Sequence, residues 1–479
     1  MPQTRRAFLA ATAAAGASIY LGREEVSHAP PDAPNVLLVM VDTLRVDHVY
    51  GSGARTPTMD ALAGEGLTFT HVFPEAMPTV PVRNSLLSGR RMFPFRDWHD
   101  HRGLLAKPGW EPLDDVEETF TTVLRREGWW TGYVTDNPFL GFSEPYEVLR
   151  RSFDLFVRHG GQVGGRDVPV PAAKLDRWLH PTVREAGMTE RVRRYIANAD
   201  YAEDESRSFA AQVFASSVEA LTEAARNRPF VLMVDAYEPH EPWTPPRSYT
   251  RLYGDPGYRG PEPAMPRYGR VENWLAPEDE DLVLERLRAL YAAEVTMTDH
   301  WLEALLDRLS LLGLERETIV VLMSDHGIQL GDRGWTGKIS TALHPELIQV
   351  PFVIVHPGRL RAGERSAYYA SPHDLARTLL TMTGVRTPEY MEGVDLSVLF
   401  AGDAPPGRDA AYGGYSDSHF FRNDSWAYMS DNAGEHTKLF DLTTDPGETT
   451  DLALLRPDVV EELRAEVEER AGGPLESYL

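Results

Sequence analysis

The sequence predicts an α/β protein in which a large mixed, mostly parallel sheet is sandwiched by helices and a small antiparallel-sheet subdomain follows. The main observation is a set of continuous apolar runs that alternate with helical patterns. Runs that are apolar at every position are typical of strands buried on both faces, and strands alternating with helices build parallel sheets. The runs cover residues 35–41, 230–234, 318–323 and 350–355. From about residue 405, short apolar segments interrupted by turn residues predict the small sheet.

Helical patterns lie between these runs, and a last one lies near the end of the chain. They cover residues 58–65, 119–127, 207–226, 281–312 and 457–470. Together with the apolar runs, they predict a large α/β domain over residues 30–400. A small α+β subdomain is predicted over residues 401–479.

The N-terminal segment is typical of a twin-arginine (Tat) export signal. Arg5 and Arg6 precede an apolar, alanine-rich run at residues 10–21. Small residues near Ala29 suit cleavage after that position. We therefore expect a Tat-type signal over residues 1–29 and a protein that is exported, whether periplasmic, extracellular or on the cell surface. Membrane contact is expected only through this segment, if it stays uncleaved.

Charge and cysteine content exclude several classes of protein. The 479 residues include 48 basic and 72 acidic side chains, which gives a net charge of −24. Such a chain repels phosphate backbones, so nucleic acid is not an expected partner. Cysteine is absent, which excludes disulfides, thiolate metal sites and a thiol nucleophile.

Four separated clusters carry side chains suited to chemistry. Asp42 and Asp325 each follow an apolar run, and ligands of open α/β sheets bind beyond the carboxyl ends of strands. A carboxylate at a crowded strand end costs desolvation free energy unless it is paired or binds a metal. The clusters cover residues 41–47, 78–90, 237–242 and 324–327, and Lys338 follows the last one.

In this order and after these strands, the clusters resemble the sulfatase family within the alkaline phosphatase superfamily. The resemblance covers nearly the whole mature chain and extends to residues 439–448. It implies an alkaline phosphatase/sulfatase-like fold and a hydrolase of sulfuric or phosphoric esters. It also implies one divalent metal ion held by Asp42, Asp325 and His326 and contacted by the hydroxyl of Thr79. Mixed oxygen and nitrogen ligands suit calcium, magnesium or manganese and leave zinc open.

The resemblance assigns roles to three basic side chains as well. Arg83 presents a planar donor fork four residues beyond the nucleophile position at Thr79, and it would support the nucleophile or the ester oxygens. Lys338 matches the family's active-site lysine, which contacts the transferred group. His240 resembles the family histidine that contacts the ester or protonates the leaving group.

Three departures from the family pattern distinguish this chain. Sulfatases have a cysteine or serine, converted to formylglycine, where this sequence has Thr79. Asn137 and Phe139 stand where many sulfatases have a lysine and a histidine that bind sulfate. Thr43 stands where many members have a second metal-binding aspartate.

Three interpretations follow for a small-molecule, glycan or lipid ester substrate. In the first, an unmodified Thr79 attacks phosphorus, as in related phosphodiesterases and phosphotransferases of the superfamily. In the second, the protein is an exported sulfatase-like binding protein without catalysis. In the third, it hydrolyses sulfate esters without formylglycine.

Overall fold

The computed structural model describes residues 18–21, 30, 32–96, 98–113, 118–163, 168–199 and 204–478. It confirms the predicted fold class: a large, mostly parallel sheet flanked by helices and a small, mainly antiparallel sheet. The predicted signal segment lies outside the described residues, apart from Ser18–Leu21. No helix in the described part of the chain combines the length and the apolar character needed to cross a membrane.

The strands alternate with helices along most of the chain, as the apolar runs predict. In chain order the strands are β1 (Ser18–Leu21), β2 (Asn35–Val41), β3 (Leu67–Val72), β4 (Ala76–Met77), β5 (Trp130–Thr135), β6 (Leu155–Arg158), β7 (Phe230–Ala236), β8 (Gly269–Arg270), β9 (Thr318–Met323), β10 (Gln329–Leu330), β11 (Trp335–Gly337), β12 (Phe352–Val355), β13 (Arg365–Ala370), β14 (Ala411–Tyr415), β15 (Ser418–Arg422), β16 (Trp426–Asp431) and β17 (Lys438–Asp441). The α-helices are α1 (Pro57–Glu65), α2 (Thr79–Ser88), α3 (Phe120–Arg126), α4 (Pro138–Phe142), α5 (Glu147–Arg151), α6 (Ala172–Arg177), α7 (Pro181–Glu185), α8 (Thr189–Asn198), α9 (Phe209–Ala224), α10 (Arg247–Thr250), α11 (Pro277–Leu311), α12 (Pro345–Ile348), α13 (Asp374–Met382) and α14 (Pro457–Arg470).

The large sheet has the strand order β1-β6-β5-β7-β2-β9-β12-β3-β13 among the described residues. Strands β6, β5, β7, β2 and β9 are parallel to their neighbours in this series. Strand β12 is antiparallel to both β9 and β3, so the parallel direction that its apolar run predicts is wrong. The physical reason is that an all-apolar run reports burial on both faces and does not report strand direction.

The central strand β2 shows how the core is divided. Leu37, Val39 and Val41 pack into the hydrophobic cluster on one face of the sheet, which includes residues of α9 and α11. Val36 and Leu38 pack into the cluster on the other face, which includes residues of α2 and α13. Helices therefore cover both faces, and ligands have access to the sheet at its edge, beyond the ends of the strands.

The small sheet has the order β17-β16-β15-β14-β4, and α14 packs against it. Its last strand, β4, pairs in parallel with β14 but comes from the segment directly before α2. The small sheet thus includes residues far from the C-terminus. It holds in place the chain that leads into Thr79, the first residue of α2.

A candidate active site at the carboxyl edge of the large sheet

Three aspartates meet where adjacent central strands end. Asp42 directly follows β2, Asp235 lies near the end of β7, and Asp325 follows β9 by two residues. Because β2 lies between β7 and β9 and is parallel to both, the three carboxylates come to the same edge of the sheet. All three side chains are buried. Without compensating positive charge, such a cluster would be strongly destabilising.

Arg83 supplies part of that charge. Its Nη1 donates to Asp325 Oδ2 at 2.6 Å and its Nη2 donates to Asp42 Oδ2 at 3.0 Å. Its Nε and Nη2 also form a bidentate pair with Asp235, at 2.9 and 2.6 Å. Three carboxylates against one guanidinium leave a formal charge of −2, which is the charge that one divalent cation would neutralise.

Three side chains that could together bind a metal ion lie at this edge of the sheet. One ligand atom each from Asp42, Asp325 and His326 lie within 4.8 Å of one another, and all three residues are buried. His326 Nδ1 lies 2.8 Å from Gly327 O, and the carbonyl accepts the Nδ1 proton, which leaves the Nε2 lone pair free to bind a metal. Burial and the neighbouring Asp325 raise the pKa of Asp42 well above its usual value. The donor set and the uncompensated charge therefore fit a divalent cation.

Thr79 lies beside this group. It is the first residue of α2, follows Pro78 and is 3% exposed. Its Oγ1 is 3.4 Å from His326 Nε2, and its backbone carbonyl accepts a hydrogen bond from Arg83 Nη1 at 3.1 Å. The hydroxyl is therefore at the N-terminus of a helix, where the helix dipole favours negative charge.

Lys338 and His240 form a second group, joined by Glu241. Lys338 Nζ donates to Glu241 Oε2 at 2.8 Å and to His240 Nε2 at 2.9 Å. His240 Nδ1 lies 2.7 Å from the Glu241 carbonyl, which accepts its proton. Burial lowers the pKa of His240 to about 3, against a smaller opposing effect of the Glu241 carboxylate, so this imidazole is neutral at pH 7.

Thr79 and the second group line one pocket of about 1000 Å³, and the candidate metal ligands Asp42, Asp325 and His326 lie behind Thr79, outside its lining. Thr79 and Pro78 line it together with Lys338, His240 and Glu241. Aromatic side chains provide much of the remaining wall. They are Trp110, Phe139, Tyr195, Tyr237, Tyr268 and Tyr415.

The structure gives a physical account of the three departures from the family pattern. Thr43 donates from Oγ1 to Asp42 Oδ1 at 2.7 Å and from its backbone N to Asp325 Oδ1 at 2.9 Å, so it orients two carboxylates. Asn137 is buried, and its Oδ1 caps α4 by accepting from the backbone N of Phe139 and Leu140. Phe139 lies in the pocket wall and offers a ring in place of an imidazole.

Sequence reasoning missed several residues that complete the site. Asp235 ends an apolar run just as Asp42 does, and that position was a usable signal. Tyr133 donates to Asp235 Oδ2 at 2.7 Å and fixes the carboxylate that binds Arg83. Glu241 and Tyr268, which are hydrogen-bonded to each other, surround Lys338. No motif signals Tyr133 or Tyr268, because their place depends on tertiary packing.

Comparisons with known proteins identify the family and the fold of this chain. Residues 34–385 match the family profile described as Sulfatase, and residues 331–471 match that described as N-sulphoglucosamine sulphohydrolase, C-terminal. An arylsulfatase of Clostridium perfringens is 25% identical over 88% of this chain and 90% of that protein. The multifunctional alkaline phosphatase superfamily protein PehA of Trinickia caryophylli is 26% identical over 78% of each chain. The solved phosphonate monoester hydrolase of Silicibacter pomeroyi shares the fold, with a TM-score of 0.69 at 18% identity, over 93% of this chain and 96% of that one.

Proposed function

The chain belongs to the sulfatase family of ester hydrolases, and from that membership we propose that it cleaves phosphate or phosphonate esters with an unmodified Thr79 as nucleophile. The observation that carries the proposal is the place of Thr79 at the base of the pocket. Its Oγ1 is 3.4 Å from the candidate metal ligand His326, at the start of α2. The chain has no cysteine, so no formylglycine can arise from one.

The surroundings of Thr79 would stabilise the negative charge that develops on the transferred group during the reaction. The N-terminus of α2 favours an anion next to Thr79. Arg83 is held by three carboxylates, so its main role is to fix the geometry of Asp42 and Asp325. A divalent cation on Asp42, Asp325 and His326 would neutralise the ester oxygens and lower the pKa of the Thr79 hydroxyl.

Lys338 is the proposed proton donor to the leaving group. His240 is neutral at pH 7, and both its ring nitrogens already have hydrogen-bond partners. Lys338 Nζ, which donates to Glu241 and His240, lines the same pocket as Thr79 and would redirect one of these donors to the leaving oxygen. In this scheme His240 and Glu241 are positioning residues that direct the ammonium group.

The proposed reaction has two steps. Thr79 Oγ1, its proton lost to solvent, bonds to phosphorus while the bond from phosphorus to the leaving oxygen breaks. The leaving oxygen takes a proton from Lys338. Water then attacks phosphorus and gives one proton to Lys338 while the bond from phosphorus to Thr79 Oγ1 breaks, and Thr79 Oγ1 regains its proton from solvent.

Sulfate esters are the second candidate substrate. The observation that favours them is the similarity to the Clostridium perfringens arylsulfatase over most of both chains. The same nucleophile would attack sulfur, with a sulfothreonine as the covalent intermediate.

A substrate screen tests the proposal. Purified protein is assayed with aryl sulfates, aryl phosphates, phosphodiesters and phosphonate monoesters in the presence of calcium, magnesium, manganese or zinc. We expect turnover of at least one phosphorus ester and a phosphoryl adduct on Thr79 by intact-mass spectrometry. Turnover of sulfates alone would favour the second candidate, and turnover of no ester with retained ligand binding would favour a binding protein.

We also propose that the chain is exported through the Tat-type segment at residues 1–29. The support comes from the twin arginines at positions 5 and 6 and from the apolar run that follows.

A further inference from the structure

The pocket wall is positively charged in a chain that is strongly negative overall. Among the residues that the structure describes, two carboxylates line the pocket, those of Glu190 and Glu241. Five described cationic side chains line it: Lys107, Arg191, Arg193, Arg194 and Lys338. The whole chain carries a net charge of −24. A cleft lined by one sign of charge concentrates ligands of the opposite sign, so this wall favours an anion.

Several of these cations are already neutralised. Glu190 pairs with Arg193 at 2.8 Å and with Arg194 at 3.2 Å. Glu241 is occupied by Lys338 at 2.8 Å. Neither carboxylate forms an ion pair with Arg191, although, against the opposing effect of burial, the Arg191 charge, after those of His240 and Lys338, helps to lower the pKa of Glu241.

Arg191 is an exposed residue of α8 that lines the pocket. Among the described residues it forms no ion pair, and it lines the pocket three residues before Arg194 on the same helix face. Burial raises the pKa of the Tyr237 and Tyr268 hydroxyls, and the Arg191 charge acts against that rise on both. These two tyrosines lie beside Lys338 and His240 in the pocket wall. The charge of Arg191, which is itself exposed, therefore influences two tyrosines that lie beside Lys338 and His240 in the pocket wall.

We propose that Arg191 binds a second anionic group, carried on the leaving portion of the ester, so that the substrate is an ester of an anionic alcohol. The assignment rests on the proposed function, because it takes the ester group to lie at Thr79. The leaving portion would extend past the aromatic wall of Trp110 and Phe139, which suits a ring. A carboxylate, sulfate or phosphate on that ring would meet the guanidinium fork of Arg191.

The test compares two esters that differ by one charge. Methyl 4-nitrophenyl phosphate and its counterpart with a carboxylate on the ring are assayed with the full chain, or the corresponding sulfates if the screen selects sulfate. For wild type we expect a higher kcat/KM on the carboxylated ester. In Arg191→Ala the ratio of the two kcat/KM values should fall about tenfold, mainly through KM, since a hydrogen bond to a charged group is lost. Arg191→Lys should restore part of the ratio.

Arg194→Ala is the matched control, because Arg194 lies on the same helix and is paired with Glu190. It should change the ratio by no more than about twofold, as expected of an exposed ion pair. An unchanged ratio in Arg191→Ala, or an equal fall in Arg194→Ala, would overturn the assignment. A carboxylated sulfate and a carboxylated phosphate behaving differently would identify the ester and leave the role of Arg191 unchanged.

Binding of stable analogues separates this inference from the proposed function. Phenylphosphonate and 4-carboxyphenylphosphonate are titrated into wild type and Arg191→Ala by calorimetry. If wild type turns over no ester but binds the carboxylated analogue about tenfold more tightly, and Arg191→Ala does not, the proposed function fails and the anion site stands. Equal affinity of wild type for the two analogues would reject the anion site.

Discussion

Removal of the Thr79 hydroxyl separates nucleophilic attack from binding. Thr79→Ala should abolish turnover while cation and ester binding persist, because the side chain supplies the attacking oxygen and makes few other contacts. Thr79→Ser should keep measurable activity, since it retains the oxygen and loses only the methyl group that restricts its rotamers. Steady-state kinetics and intact-mass spectrometry measure both effects. Turnover by Thr79→Ala at the wild-type rate would assign the attack to water instead.

The carboxylates of the ligand group are expected to decide cation binding. Asp42→Ala and Asp325→Ala should each lose the bound cation and at least about 100-fold in activity, because removal of one ligand leaves positive charge uncompensated. Asp235→Asn is the control, since Asp235 binds Arg83 and lies outside the ligand group. It should retain the cation. Elemental analysis of the purified proteins, with circular dichroism to verify folding, checks the prediction, and wild-type protein free of divalent metal would contradict it.

The site shows what residue spacing can and cannot predict. Asp42 and Asp325 follow from their positions after apolar runs, because the carboxyl ends of parallel strands meet at one edge of a sheet, whereas Thr79 follows from the resemblance to the sulfatase family. The role of Arg83 does not follow, because its contact with three carboxylates depends on how α2 packs across the strand ends. Lys338 and His240 were expected near the ester. The hydrogen bonds of Lys338 to His240 and to Glu241 depend on tertiary contacts that residue spacing does not encode.

At the scale of elements, His159 links the end of β6 to α9 and should make their packing sensitive to acid. Its Nε2 lies 2.9 Å from Ser216 Oγ, and burial lowers its pKa to about 4. The His159 imidazole thus stays neutral in the folded protein. In the unfolded chain it takes up a proton once the pH falls below its ordinary pKa of about 6.5. Stability should therefore fall as the pH falls from about 6.5 to about 4.

His159→Gln removes this linkage. Between pH 7 and pH 4, the free energy of unfolding should decrease in wild type by on the order of 3 kcal/mol more than in His159→Gln, because each tenfold difference in proton affinity between the folded and unfolded states corresponds to about 1.4 kcal/mol. Urea unfolding at several pH values measures the difference. Parallel pH dependences in the two proteins would show that His159 is protonated equally in the folded and unfolded states.

Elements with uniform burial are the ones that the sequence predicts best. β2, β7 and β9 are apolar at nearly every position, and α11 and α14 both begin with a proline, followed by three acidic residues in α11 and by Asp458 in α14. The edge strand β13 alternates exposed and partly buried positions over its first four residues and is buried only at the last two, so its sequence gives a weak alternation. The short strand β4 is set by its pairing with β14, more than 300 residues later in the chain, and no local pattern encodes that pairing.

At the scale of the whole molecule, charge is distributed unevenly in a way that suits the proposed chemistry. Most of the negative charge lies outside the pocket, whose wall carries more cations than carboxylates. A net charge of −24 is expected to repel phosphate backbones, while the local positive wall would attract a small anionic ester. The absence of cysteine agrees with a fold stabilised by its apolar core on both faces of the sheet and by buried ion pairs, with no disulfide.

Export is the property of the whole chain that its first residues should control. Replacing Arg5 and Arg6 together by lysine should leave the protein in the cytoplasm, because the Tat pathway recognises the paired arginines. Arg23→Lys, a basic position that follows the apolar run, should export like wild type. Cell fractionation with a Tat-competent host measures the distribution, and mass spectrometry of the exported protein should find an N-terminus after Ala29. Equal export of the double-lysine variant would remove the assignment to this pathway, while an N-terminus at residue 1 on exported protein would identify an uncleaved anchor.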